Sequence, residues 1–217
     1  MAHISSNQED YLKTIYLENL KGNLITNKLI ADKMNVSAPS VSEMMGKLVK
    51  LKYLKKDPSY GFKLTQEGID LTQTLLKKHR LWEVFLIDKL GYSWDEVHDD
   101  ADALEHVTSS KLMEKLNVFL DKPKFCPHGK VIYGNGIEEN FGSVLKMSSL
   151  KENEKASVHI IEDDMLLLQY LANKNIKIHD EFVVDTVDAF DHTLVINING
   201  EKVAISAMAA AMIYVRR

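Results

Sequence analysis

The chain of 217 residues contains one cysteine, four prolines and no long apolar run. The single Cys126 cannot form an internal disulfide, so a packed core must hold the fold, and a reducing compartment suits the chain. Apolar runs stay well below the roughly 18 residues that a membrane span needs. The opening residues MAHISSNQEDYL lack the pattern of a signal peptide, and we therefore expect a cytoplasmic protein that does not contact a membrane.

The chain also has fewer basic than acidic residues. It contains 27 Lys and Arg and 31 Asp and Glu, which gives a net charge of −4. Their distribution is uneven. Residues 1–80 contain 13 basic and 8 acidic side chains, whereas residues 81–217 contain 14 and 23. This asymmetry predicts a basic interaction module joined to an acidic remainder, with chance clustering as the alternative.

The basic portion contains three helical patterns followed by a hairpin pattern. EDYLKTIYLENL has apolar residues at helical spacing, TNKLIADKMN begins at a capping Thr26, and VSAPSVSEMMGKLVKLKYL begins at a capping Ser37. YLKKDPSYGFKLT predicts two short strands around a turn. This order and these lengths predict a winged helix-turn-helix, whose second helix enters the major groove of DNA.

In this motif the first residues of the second helix meet base edges, and nearby lysines contact phosphates. The candidates for base contact are Ser37, Pro39, Ser40, Ser42 and Glu43. The candidates for phosphate contact are Lys47, Lys50, Lys55, Lys56 and Lys63. A winged-helix scaffold used for protein contact is the alternative.

The acidic remainder contains the segment VHDDADALEHV, which has two histidines and four acidic residues. A helix turns by about 100° per residue, so His98, Asp102, Glu105 and His106 share a sector of about 100°. His79 and Glu83 lie four residues apart in HRLWE, and Cys126 and His128 lie in CPHG. Imidazole combined with carboxylates suits a divalent first-row metal ion, whereas a solvated His–Asp surface pair is the alternative.

Taken in order, "HRLWEVFL", "WDEVHDDADALEHV" and "CPHG" after a winged helix resemble the diphtheria-toxin-repressor family of metal-dependent transcriptional regulators, on its manganese-responsive branch. The resemblance covers essentially the whole chain. It implies a mainly α fold with a small β part: a winged helix-turn-helix, a helical dimerisation and metal-binding domain, and a C-terminal SH3-like domain similar to FeoA. The expected boundaries are 1–74, 75–140, a polar linker at 141–157, and 158–217.

The resemblance also implies two metal centres. The primary centre would consist of Asp10, His79, Asp102, Glu105 and His106. The secondary centre would consist of Glu83, Cys126, His128 and Asp163, with His98 as the competing candidate. At the primary centre, Asp10 and Asp102 offer oxygen donors where iron-responsive relatives carry sulfur. Oxygen donors favour Mn²⁺, with Fe²⁺ as the alternative. At the secondary centre, the Cys126 thiolate suits Zn²⁺ or Fe²⁺. Manganese-responsive relatives more often carry Glu at the position of Asp102, so its ligation, direct or through water, stays open.

The implied function is that of a homodimeric repressor of metal-uptake genes, which binds a palindromic operator in double-stranded DNA when metal is bound. One rival is a winged-helix regulator without metal control, which leaves the donors of residues 79–128 unexplained. The other rival is a metallohydrolase. Because the sequence contains no nucleophile elbow, phosphate loop or His-Glu-x-x-His motif, we expect that the chain is not an enzyme.

Overall fold

The computed structural model describes residues 4–59, 61–94, 96–136 and 144–217. The chain divides into two compact units. The first comprises Met1–His79 with Leu104–Thr108, and the second comprises Arg80–Ala103 with Ser109–Arg217. Within the described residues, no helix is both long enough and apolar enough to cross a membrane.

The helices and strands follow one another in an α-rich first half and a β-rich second half. The helices are α1 (Ser6–Leu20), α2 (Asn27–Met34), α3 (Ala38–Lys50), α4 (Gln66–Leu90), α5 (Val97–Val107), α6 (Ser110–Phe119), α7 (Met165–Ala172) and α8 (Ala207–Ala210). The strands are β1 (Leu54–Asp57), β2 (Gly61–Leu64), β3 (Leu145–Lys146), β4 (Lys155–Ile161), β5 (Glu181–Val187), β6 (Leu194–Ile198), β7 (Glu201–Ile205) and β8 (Ile213–Arg216).

Side-chain caps start the first three helices, and the sequence predicts those of α2 and α3. The hydroxyls of Ser5, Thr26 and Ser37 accept hydrogen bonds from backbone N–H groups of the first turns of α1, α2 and α3. Each cap satisfies a donor that a helix start leaves unpaired. Between α2 and α3 the chain reverses at Asn35, whose φ is 53°. The buried faces of these helices form one small core: Leu12, Ile15, Ile30, Val41, Met45 and Leu48.

The wing is an antiparallel hairpin of β1 and β2, in which Lys55 lies opposite Lys63. Gly61 joins it to the rest of the first unit through a bridge to Ile25. Gly61 has a φ of +72°, and a Cβ placed there would lie 2.3 Å from the carbonyl oxygen of Ile25. Only glycine therefore fits this position. The helix-turn-helix with its wing confirms the predicted DNA-reading motif.

The second unit contains a six-stranded antiparallel sheet with the order β3-β8-β4-β5-β6-β7. Its core is made by the alternating inward residues of the strands, such as Phe182, Val184 and Ile196, together with Leu168 and Leu171 of α7. A smaller hydrophobic cluster forms the core of the helical part of this unit. It consists of Leu81, Val84, Met113, Leu116, Cys126 and Ile132.

The polar segment that composition predicts as a linker is partly structured. Residues 145–161 contribute β3, a short 3₁₀ helix at Met147–Ser149 and β4, and Met147 and Leu150 are buried in the sheet's core. Composition missed these elements because β3 is only two residues long and is defined by its pairing with the distant β8. Helix α4 also begins earlier, at Gln66, than the helical stretch expected from residue 75. The domain boundaries themselves stay predictions.

Candidate metal centres and DNA-reading surface

Three helical segments of the first unit bring four of the predicted primary donors together. Asp10 lies on α1, His79 on α4, and Glu105 and His106 on α5. One donor atom from each of Asp10, Glu105 and His106 lies within 4.8 Å of the others. His79 Nδ1 lies 2.6 Å from Glu105 Oε2, and both side chains are buried. We call this group the α1 centre; its nitrogen and oxygen donors suit a divalent first-row ion.

The imidazole of His106 is held at both nitrogens. Its Nδ1 lies 2.6 Å from Oε2 of Glu9, a residue that sequence reasoning did not include. Its Nε2 lies 3.1 Å from Oδ1 of Asp10 and 3.8 Å from Oε1 of Glu105. A ligating histidine usually donates its other ring N–H to a carboxylate, which fixes the tautomer. Glu9 is placed to accept that N–H, and Nε2 is then the nitrogen that faces the other donors.

The α1 centre already contains a cation. Glu105 is fully buried, and a buried carboxylate is costly unless a positive partner neutralises it. Lys13 Nζ supplies that charge by donating to Oε1 and Oε2 of Glu105 at 3.0 and 2.9 Å. The same atom lies 3.5 Å from His79 Nδ1. The arrangement of donors therefore fits a positive ion, which is the chemical requirement of a metal site.

Asp102, the fifth predicted primary ligand, lies on α5 one turn before Glu105 and His106. Its carboxylate Oδ2 is 3.7 Å from Nε2 of His98, and its side chain is 46% exposed. The pair matches the surface His–Asp interaction that an i, i+4 spacing commonly makes. Ligation by Asp102 accordingly stays a prediction.

A second cluster lies in the second unit and is entirely buried. Glu83 on α4 and the loop residues Cys126 and His128 each place one donor atom within 4.8 Å of the others. His128 Nδ1 lies 3.0 Å from Glu83 Oε1, and its Nε2 donates to the carbonyl oxygen of Trp94 at 3.0 Å. A carbonyl can only accept, so Nε2 keeps its proton and Nδ1 is the nitrogen available as a ligand. We call this group the CPHG centre.

The side chains of the CPHG centre carry opposite charges. Burial alone would lower the pKa of His128, but the Glu83 carboxylate and a hydrogen bond with Cys126 raise that pKa to about 12. Burial and the same carboxylate raise the pKa of the Cys126 thiol. An imidazolium therefore neutralises Glu83 here, and this centre too has the composition of a cation site.

A tight turn positions Cys126 and His128. The N–H of Gly129 donates to the carbonyl oxygen of Cys126 at 2.9 Å and closes the turn. Gly129 adopts a φ of +82° there. The turn is tied to β4, since Ile161 N–H donates to the His128 carbonyl at 3.1 Å. This bond brings the residues that follow β4, including Asp163, to the CPHG centre.

Asp163 and His98 both approach the CPHG centre, so the sequence alternative remains open. Asp163 Oδ1 lies 3.7 Å from His128 Nδ1, and Lys130 forms an ion pair with the carboxylate. Burial would raise the pKa of Asp163, but Lys130 and the nearby histidines hold it well below its usual range. His98 Nδ1 lies 3.9 Å from Glu83 Oε1.

The predicted DNA-reading residues lie together on the exposed face of α3. Ser37, which caps the helix, is exposed, and so are the following candidates: Pro39, Ser40, Ser42, Glu43 and Lys47. Glu43 and Lys47 form an ion pair at 2.8 Å, which lowers the pKa of the Glu43 carboxyl. The apolar face of the same helix is buried at Val41, Met45 and Leu48. The outward face is therefore available to enter a groove of DNA.

Family comparisons cover nearly the whole chain in three consecutive blocks. Residues 3–62 match the N-terminal DNA-binding domain of iron-dependent repressors. Residues 65–134 match the metal-binding and dimerisation domain of the same repressors. Residues 145–217 match the FeoA domain. These matches support the fold predicted from the sequence, including the SH3-like C-terminal part.

Individual relatives agree with the family comparison. The structure is similar to that of the manganese regulator SloR, with 39% identity and a TM-score of 0.83 over 99% of this chain and 100% of that one. It is similar to ScaR with bound Zn²⁺, with 38% identity and a TM-score of 0.85 over 97% and 99%. The diphtheria toxin repressor of Corynebacterium glutamicum is 29% identical over 94% of this chain and 93% of its own. The chain belongs to the diphtheria-toxin-repressor family of metal-dependent transcriptional repressors.

Proposed function

We propose that the chain is a manganese-responsive repressor of metal-uptake genes, in which metal bound at the α1 centre favours the dimer that can bind its operator. The cellular metal is Mn²⁺ in this proposal, with Fe²⁺ as the alternative, and the CPHG centre takes Zn²⁺ or the same ion. Its place of action is the cytoplasm, where the operator lies.

One observation carries the proposal: a helix of the DNA-reading unit also carries a candidate ligand of the α1 centre. Helix α1 contacts α2 and the wing strand β2, and it presents Asp10 to Glu105 and His106 of α5. A change in the position of α1 relative to these donors would therefore also move α1 relative to the helix-turn-helix elements that it contacts. A bound divalent ion supplies the positive charge that holds these carboxylates and imidazoles in one arrangement.

The residues around the ion would couple metal binding to the orientation of the DNA-reading helix. Glu9 would hold His106 in one tautomer, and His79, itself a candidate ligand, lies 2.6 Å from the buried carboxylate of Glu105. Fixing α1 would fix the recognition helix α3, and in a homodimer two such helices must enter successive major grooves about one turn apart. The fraction of dimers with that spacing sets the apparent DNA affinity.

The donor chemistry supports manganese over softer ions at the α1 centre. Its candidates are carboxylates and imidazoles without sulfur, and such oxygen-rich sets suit Mn²⁺. SloR, to which the chain is similar along its whole length, is described as a manganese regulator. The thiol of Cys126 makes the CPHG centre different, because a thiolate suits Zn²⁺ better.

The test is a gel shift on a palindromic operator with a series of Mn²⁺, Fe²⁺ and Zn²⁺ concentrations. DNA affinity should rise on adding Mn²⁺ and return to its starting value on chelation. His106→Ala should abolish the rise, whereas Glu67→Ala, which removes an exposed carboxylate from the first turn of α4, should preserve it. An unchanged metal response in His106→Ala would instead contradict the assignment of the α1 centre, whereas no metal response in wild type would support the rival regulator without metal control.

A further inference from the structure

Lys13 stands at the middle of the α1 centre. Its ammonium donates to both oxygens of Glu105, at 3.0 and 2.9 Å, and lies 3.5 Å from Nδ1 of His79. The side chain of Lys13 is only 14% exposed, and that of Glu105 is not exposed at all. This is not a solvated surface pair; the lysine is inserted among the residues that are candidates to hold the metal ion.

The ammonium and a metal ion compete for the same atoms. Both are cations that would bind the carboxylate of Glu105, whose two oxygens now accept hydrogen bonds from Nζ. Two positive charges beside one buried carboxylate would also repel each other strongly in a poorly solvated site. Lys13 must leave before an ion can be ligated by both Glu105 and His79.

We propose that Lys13 is a tethered competitor of the metal ion, which fills the α1 centre in the metal-free protein and raises the metal concentration needed for activation. The inference rests on the proposed function, because it concerns the regulation of the same centre. The long flexible side chain of lysine allows the ammonium to withdraw without a change in the backbone. Competition by the ammonium would weaken the apparent affinity by a constant factor, so a higher metal concentration would be needed for the same occupancy.

The tethered cation has a second consequence for the metal-free chain. Without it, the buried Glu105 carboxylate would face the carboxylates of Glu9 and Asp10 around His106 with less positive charge nearby. An uncompensated buried charge is strongly destabilising. Lys13 therefore lets the first unit fold before metal arrives, and removing it should make folding more dependent on metal.

The test measures Mn²⁺ binding by the electron paramagnetic resonance signal of free Mn²⁺, in the full chain, for wild type, Lys13→Met and Lys13→Gln. Each protein is also made with His106→Ala, so that the part of the binding due to the α1 centre is known by difference. Met keeps most of the length of the side chain without charge, and Gln keeps an amide N–H donor group without charge. Lys21→Met is the matched control, because it removes the same charge about 12 Å away, at the residue that caps the C-terminus of α1.

Lys13→Met and Lys13→Gln should tighten the His106-dependent binding of Mn²⁺ by about tenfold or more, as expected if the ammonium occupies the centre for nine-tenths of the time. Lys21→Met should leave the dissociation constant unchanged. The metal-free melting temperature of Lys13→Met should fall below that of wild type, and saturating Mn²⁺ should close the gap. Lys13→Gln, which keeps an N–H donor for Glu105, keeps the test decisive if Lys13→Met purifies only with metal.

Failure of the inference and failure of the proposed function give different results. Unchanged or weaker His106-dependent binding in both neutral variants overturns the role of Lys13 and leaves the metal centre in place. Absence of any His106-dependent binding, in wild type and in Lys13→Met alike, overturns both.

Discussion

Glu9 and His106 are joined across 97 residues of sequence, with Oε2 of the carboxylate 2.6 Å from Nδ1 of the imidazole. The bond leaves Nε2 of His106 facing Asp10 and Glu105. Glu9 is thus placed to orient a predicted ligand, and it lies on the helix that also belongs to the DNA-reading unit. A short contact of this kind couples the orientation of a ligand to the position of α1.

Glu9→Ala should weaken Mn²⁺ binding at the α1 centre by roughly 10–100-fold, the usual loss when the partner of a ligating histidine is removed. Glu9→Gln should lie between wild type and alanine, because the amide oxygen still accepts the N–H but carries no charge. Isothermal titration with Mn²⁺ measures both constants. Glu67→Gln, a change at an exposed carboxylate of α4, is the control. Equal affinities for wild type and Glu9→Ala would remove Glu9 from the centre.

Metal binding at the CPHG centre should release protons. The pKa of His128 is raised to about 12 by Glu83 and Cys126, and burial raises the pKa of the Cys126 thiol, so both groups carry protons at neutral pH. A metal ion needs neutral imidazole and thiolate, so its apparent affinity must rise as the pH rises. Titrating Zn²⁺ in buffers of different ionisation enthalpy counts the protons released.

Cys126→Ser provides the matched comparison for this proton count. Serine keeps a similar shape but its hydroxyl does not ionise, so release should fall by about one proton and Zn²⁺ should bind more weakly. A variant that releases as many protons as wild type, with equal affinity, would show that the thiol is a buried loop cysteine and not a ligand.

Local signals in the sequence were sufficient for most of the fold. Thr26 and Ser37 mark helix starts, and the structure places α2 and α3 directly after them. Helical spacing also placed Glu105 and His106 on a common face of α5, and the structure brings both to Asp10. These signals succeed because a cap or a helix face depends on residues within a few positions of each other.

Contacts between distant segments were the part that local patterns could not supply. Glu9 and Lys13 reach His106 and Glu105 across more than ninety positions, and their spacing on α1 shows a shared face but no partner. Strand β4 was also missing from the sequence prediction, but for a local reason. Its alternation was readable, since Ala156 and Val158 are buried and their neighbours are not, but its polar first residues made it resemble a linker.

Gly129→Ala should destabilise the second unit and impair the CPHG centre together. The residue has a φ of +82°, and a new Cβ would lie 2.0 Å from the carbonyl oxygen of His159. Backbone strain alone costs about 1–3 kcal/mol, and the overlap with backbone atoms adds to it. Chemical denaturation gives the free energy of unfolding, and Zn²⁺ titration reports on the centre.

Gly200→Ala separates the two contributions at Gly129. Gly200 has a similar φ of +85°, but a Cβ there would meet no atom within 4 Å. It should therefore show the cost of the backbone conformation alone, and its Zn²⁺ affinity should be that of wild type. If the two variants lose equal stability, the approach of His159 to the turn is not what requires glycine at 129.

Lys47 on α3 tests the assignment of the DNA-reading face. Lys47→Ala should weaken binding by a similar factor on every DNA sequence and lower the slope of log affinity against log salt by about 1, because one phosphate contact is lost. Fluorescence anisotropy over a salt series, with saturating Mn²⁺, measures both quantities. Lys202→Ala is the matched control, since Lys202 also forms an exposed ion pair, at 2.7 Å with Asp185, but lies on the sheet of the second unit. A salt slope that changes equally in both variants would mean that the net charge of the chain, and not the position of Lys47 on the recognition helix, governs its contribution.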